Sequence, residues 1–126
     1  MLARVAVKNI LQRDHYEYFD GDSYQHDISK SKPIMTGMQH GKIYRSKLFQ
    51  SNTAKDWVFV GCNAFGDSTV QMGVAPRPEG PWDIQDLMPA PPKEKHEDSI
   101  FTYCMFAHPW AYDESDGEIM ITWSGK

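Results

Sequence analysis

The residues able to do chemistry in this chain are few and dispersed. Four carboxylates stand near the ends of strand-like stretches: Glu17, Asp20, Asp67 and Asp83. Carboxylic groups working as a pair are common acid–base machinery, provided that one of them keeps its proton near neutral pH. Asp67, in "AFGDST", suits the cap of a hairpin turn as well as it suits an acid. A second set is polar and aromatic: "GKIYRSKLF" places Tyr44, Arg45 and Ser46 in succession, and "FTYCMFAHPW" carries Tyr103 and His108. Side chains of these types hold ligands through planar hydrogen bonds and ring faces. Pro109 keeps His108 extended, and a structural histidine satisfied by a backbone carbonyl fits the same position. His15, His26, His40 and His96 show no HxxxH or HxH spacing, and Cys62 and Cys104 belong to no CxxC or Cys/His pattern, so no metal site and no cofactor is expected. The two cysteines read as buried thiols or as a single bridge between neighbouring strands. GxGxxG, GxxxxGK[ST] and GxSxG are all missing from the sequence, which leaves nucleotide binding and the hydrolase elbow without local support.

Size and charge narrow the classes further. A chain of 126 residues is the length of one domain or a piece of one. Asp and Glu outnumber Lys and Arg 17 to 13 and no basic stripe stands out, so a nucleic-acid partner is not expected. The longest apolar run, "WVFVGC", is far short of the roughly 20 residues that a membrane span requires. The opening "MLARVAVKNILQRD" has no sustained apolar core and no small-residue cleavage site, so it does not read as a signal peptide. Two expectations follow: a cytosolic chain, or one whose true N-terminus lies upstream.

Strands must position these residues. Val70, Met72 and Val74 alternate with Gln71, Gly73 and Ala75, the pattern of a half-buried strand, and Ile119, Ile121 and Trp123 share a face in "GEIMITWS". "WVFVGCN" is apolar on both faces, as a strand covered on both sides would be. "GKIYRSKLFQS" and "SIFTYCMFAHP" complete a set rich in β-branched and aromatic residues, and "LARVAVKNI" is read as a strand in preference to a helix. "KLFQSNTAKDWVFVG" and "CMFAHPWAYDESDGEIMITW" then share one grammar: a strand ending in an aromatic, a polar turn, and an apolar strand. Continuing the first copy through "STVQMGVA" and "GPWDIQDL" gives four antiparallel strands from Lys42 to Leu87, and units of this size in tandem predict a β-propeller. On that reading Pro76, Pro78 and Pro81 mark the turn into an edge strand, where missing donors do least harm, and Trp82 lays its ring over the sheet. "PAPPKEKHEDS" is an inter-unit crossing rather than a PxxP ligand.

Three stretches carry a resemblance. "YEYFDGDSY", "VAPRPEGPW" and "YCMFAHPW" resemble the "YEYWDG…W" outer strand, the proline-rich "GPW" turn and the "YC-x-Y-x-HP" inner strand of secreted five-bladed propellers catalogued as a domain of unknown function. Those propellers are similar in architecture to glycoside hydrolases of the arabinanase and xylosidase type. The resemblance runs from Leu2 to Ser124 and implies an extracellular protein with a carbohydrate partner held in an axial funnel. It also implies that Tyr44, Arg45, Ser46, Tyr103 and His108 face that funnel, where similar propellers use a histidine to hold an axial ion or orient an acid; the sequence itself gives no support for an ion. Glycoside hydrolysis needs two carboxyl groups about 5 to 9.5 Å apart. Glu17, Asp20 and Asp83 fall on outer strands, far from such a funnel, so no catalytic residue is assigned; Asp67 is a candidate that suits a hairpin cap equally.

The expectation is therefore an all-β, antiparallel, partial propeller of the five-bladed type forming a single domain over 1–126. Residues 1–28 supply the outer strands of one blade, 38–88 a complete blade, and 99–126 the inner strands of the next. The expected function is that of a glycoside-hydrolase-like fragment, inactive alone. A non-catalytic carbohydrate-binding module that self-associates through open strand edges is the first alternative, and an unrelated β-sandwich the second.

Overall fold

The computed structural model describes residues 1–36, 40–50, 54–63, 69–89, 102–111, 113 and 116–125. These form antiparallel sheets of three, four and two strands, with short helical turns between some of the strands, so the chain is all-β. It divides into two compact units, Met1–Thr36 and Gly37–Lys126.

The first unit holds β1 (Ala3–Arg4), β2 (Glu17–Phe19) and β3 (Tyr24–Gln25) in one antiparallel sheet of that order. The strand expected over "LARVAVKNI" is confined to two residues, after which Val7–Asn9 winds into a 3-10 turn. Alternation and helical spacing both fit so short an apolar run, and local hydrogen bonds such as Asn9 N to Ala6 O (2.8 Å) decide in favour of the turn. "YEYFDGDSY" makes two strands rather than one. Asp20 turns the chain back by accepting from the backbone N–H of Asp22 and Ser23 at 2.9 and 2.8 Å, while Gly21 takes φ of 103°. Across the sheet, Arg4 Nε donates to Glu17 Oε2 at 2.8 Å, and its guanidinium lies 3.9 Å from the centre of the Tyr24 ring.

The second unit is built on β4 (His40–Arg45), β5 (Trp57–Cys62), β6 (Val70–Ala75) and β7 (Asp83–Met88), which lie in one sheet in chain order. An unbroken ladder from His40↔Cys62 to Arg45↔Trp57, and from Trp57↔Ala75 to Cys62↔Val70, fixes the faces. Val58, Val60 and Cys62 point to one face with Val70, Met72 and Val74, as the alternation requires. That face is covered by β8 (Thr102–His108), whose Met105 and Ala107 are fully buried in the same core and which pairs with β9 (Met120–Gly125). Strand β8 packs against both β4 and β5. The segment after Arg45 departs from the extended reading. Ser46 N donates to Asp56 O at 2.8 Å and Lys47–Gln50 then forms one helical turn, α1, which carries Phe49 onto the core.

The opposite face is sealed by aromatics lying on bare backbone. Phe59, 4% exposed, packs edge-on to Trp82 with ring centres 6.3 Å apart, and it rests where Gly41 and Gly61 carry no side chain. Trp82 follows the proline-rich bend. Gly80 has φ of 100°, and the indole N–H reaches back to Pro78 O at 3.3 Å, so the ring is set over the sheet as anticipated. A Cβ at Gly73 would stand 2.9 Å from Ile84 Cγ1 and 3.3 Å from Trp82 Cε3, so this close approach needs glycine. Gly73→Ala is expected to destabilise the fold by about 1–3 kcal/mol through overpacking, read as a lower urea midpoint with an unchanged m-value.

Candidate functional site

The residues singled out for ligand binding lie at the ends of β4 and β8. Neighbours along a strand face opposite ways. Tyr44, paired with Val58, therefore packs on the core, while Arg45, paired with Trp57, lies on the other face. Arg45 Nε meets Asp56 Oδ2 at 2.5 Å; the arginine side chain is 60% exposed and its partner 14%. The pair ties an exposed guanidinium to a largely buried carboxylate. Ser46 is buried, 1% exposed, at the start of α1. Tyr103 sits opposite Ser124 in the β8–β9 ladder.

A bulge separates Tyr103 from Phe106 in β8. At its centre Cys104 adopts φ of 56°, a left-handed conformation uncommon for any residue but glycine, asparagine or aspartate. The extra residue resets the alternation so that Met105 and Ala107 enter the core while Phe106 and His108 face away from it. His108 Nε2 hydrogen bonds Thr122 Oγ1 at 2.7 Å across the ladder, and its ring meets Trp110 edge-on with centres 5.4 Å apart. Both cysteines are free thiols, Cys62 in the core and Cys104 at the bulge.

The carboxylates have structural employment. Arg4 donates to Glu17 and holds its acid below the ordinary range, and the two backbone N–H groups that cap the turn do the same for Asp20. A general acid needs the opposite displacement. Asp83 pairs with Lys55 at 3.2 Å. Asp67 lies outside the described residues. No group of three His, Cys, Asp or Glu side chains among the described residues is arranged to hold a metal ion, and no helix among them is long and apolar enough to cross a membrane.

A groove opens beside β6 and β7, floored by Phe49, Met72 and Val74 and edged by Asp83, Gln85 and Leu87. Sequence reasoning missed this groove along with Asp56, Thr122 and Trp110. Asp56 and Thr122 become site residues only through cross-strand register, which no local pattern encodes. Trp110 is the last residue of "YCMFAHPW" and carried a signal, an aromatic directly after His-Pro. Phe49 reaches the groove only because the chain turns helical where alternation suggested a strand.

No protein-family model matches the chain, and no curated protein matches it in sequence.

Two tests follow from this geometry. Cys104→Val places a β-branched residue in the left-handed region and should cost about 1–2 kcal/mol, whereas Cys104→Gly should stay within about 1 kcal/mol of the wild type; chemical denaturation compares them. The lowered acid of Asp20 stabilises the fold above the unfolded value of 3.8, and that contribution is lost as pH falls through the lower folded value. Asp20→Asn keeps a side-chain acceptor for the turn but cannot titrate. Its melting temperature should therefore fall less steeply than that of the wild type between about pH 4 and pH 2.

Proposed function

We propose that this chain is a carbohydrate-related segment of a β-propeller, of the five-bladed and glycoside-hydrolase-like kind, that does not hydrolyse sugars by itself. One observation carries the reading. A four-stranded meander is paired with a hairpin, later in the chain, whose first strand, β8, packs against β4 and β5. Successive antiparallel units stacked in this way are how blades bury their apolar faces. The stretches that resemble the propeller family support it by their positions: "GPW" ends the bend into β7, and "YCMFAHP" is β8 with its following turn. Arg45 and His108, each at the end of a strand that opens its unit and each fixed by a neighbour, supply the charged and planar donors that sugar hydroxyls accept from.

The self-associating sugar-binding module is a second reading, supported by the outer edges of β7 and β9, which have no strand partner among the described residues. Calorimetric titration with linear arabino- and xylo-oligosaccharides tests the common part of both. Saturable binding weakened about tenfold or more in Arg45→Ala is the expected result, and absence of binding overturns it. Turnover of arabinan or aryl glycosides that disappears in Asp67→Ala would overturn the view that the chain is inert. Sedimentation of the intact chain separates a monomer from an assembly.

A further inference from the structure

Most exposed large apolar side chains among the described residues are aliphatic, such as Leu11 and Ile10, which a protein surface tolerates singly. Trp110 differs from them in three respects. It is 73% exposed although it is the largest side chain a protein possesses. It stands in the tight turn that ends β8, closed by Ala111 N donating to His108 O at 3.0 Å, so its backbone is held. Its indole is set edge-on to the His108 imidazole at 83°, and that imidazole is itself fastened by Thr122 Oγ1. The indole is thus an oriented plate with at least one face open to solvent. Beside it, Nδ1 of His108 and the indole N–H are engaged by no hydrogen-bond partner among the described residues.

We infer that Trp110, with His108 and Thr122 behind it, is a stacking platform for one ring of an oligosaccharide. The inference rests on the carbohydrate reading above and adds a residue and a geometry to it. A pyranose or furanose presents an apolar C–H face and a polar rim. An open indole face covers the first, while a ring nitrogen of His108 and the indole N–H meet hydroxyls on the second. A peptide anchor would instead call for an enclosed, desolvated aromatic, whereas the Trp110 side chain is 73% exposed. Thr122 acts as a positioning residue: its hydroxyl occupies Nε2, which selects the ring orientation and leaves Nδ1 toward the ligand.

The test uses the intact chain with xylohexaose and arabinohexaose as probes, followed by calorimetry and by intrinsic fluorescence. Trp110→Ala should weaken binding of the preferred probe about tenfold or more, as truncation of an aromatic anchor does. Trp110→Phe should keep most of the calorimetric affinity while abolishing the ligand-dependent shift in emission. Thr122→Val should lower affinity by several-fold without a change in secondary structure, and His108→Ala should do the same. Binding in Trp110→Ala within about twofold of the wild type overturns the platform, as does a Trp110 variant that changes only the mass in solution. If affinity survives Trp110→Ala but is lost in Arg45→Ala, the carbohydrate reading stands and the platform falls. If the wild type binds neither probe, both fall.

Discussion

Strand β5 has no solvent side, and the second unit is arranged around that constraint. Val58, Val60 and Cys62 need an apolar cover on one face and Phe59 needs one on the other. Backbone pairing with β4 and β6 meets the hydrogen-bonding requirement of a buried strand but supplies no cover. The first cover comes from Met105 and Ala107, which draws the β8–β9 hairpin against the sheet across an intervening stretch of proline-rich chain. The second comes from Trp82, set edge-on to the Phe59 ring, which itself rests over Gly41 and Gly61. Burial of these side chains is the dominant favourable term available to a domain of this size, and both covers are long-range in sequence.

Placement of the polar side chains follows from that packing. Arg45 is turned from the core because Tyr44 is turned toward it, and His108 is turned out because the bulge at Cys104 turns Ala107 in. A left-handed cysteine is a local cost of order 1 kcal/mol. It persists because the buried methionine beside it gains more from the core than the backbone loses. The geometry at the end of β8 is therefore determined by packing several residues away, and the Thr122 hydroxyl then selects one orientation of the histidine ring.

Much of the sheet was legible from residue order, because period-2 alternation is a short-range signal. Val70, Met72 and Val74 announced their common face, "WVFVGC" its burial on both sides, and the proline-rich bend its place before an edge strand. The failures came where two periods fit equally or where a long-range partner decides. "LARVAVKNI" satisfies strand and helix alike, and its second half became a 3-10 turn. "KLFQ" continues an alternating run yet winds up, since Ser46 is tied to Asp56 across the sheet. Of the binding residues, the strands carrying Arg45 and His108 could be read, but the partners that orient them could not. A bulge shifts every residue after it by one face, and nothing in "FTYCMFAHP" marks Cys104 as the residue that shifts.

Two of the strand margins left open in the second unit, among the described residues, carry opposite chemistry. Strand β7 bears Asp83 and Asp86 and is entered through prolines, so a like strand approaching it meets repulsion and missing donors. Strand β9 reads Met-Ile-Thr-Trp-Ser-Gly, with neither charge nor proline along its length. When chains are crowded or warmed, fibrillar growth is accordingly expected to nucleate at the β9 margin, and the colloidal shelf life of the protein to be decided there.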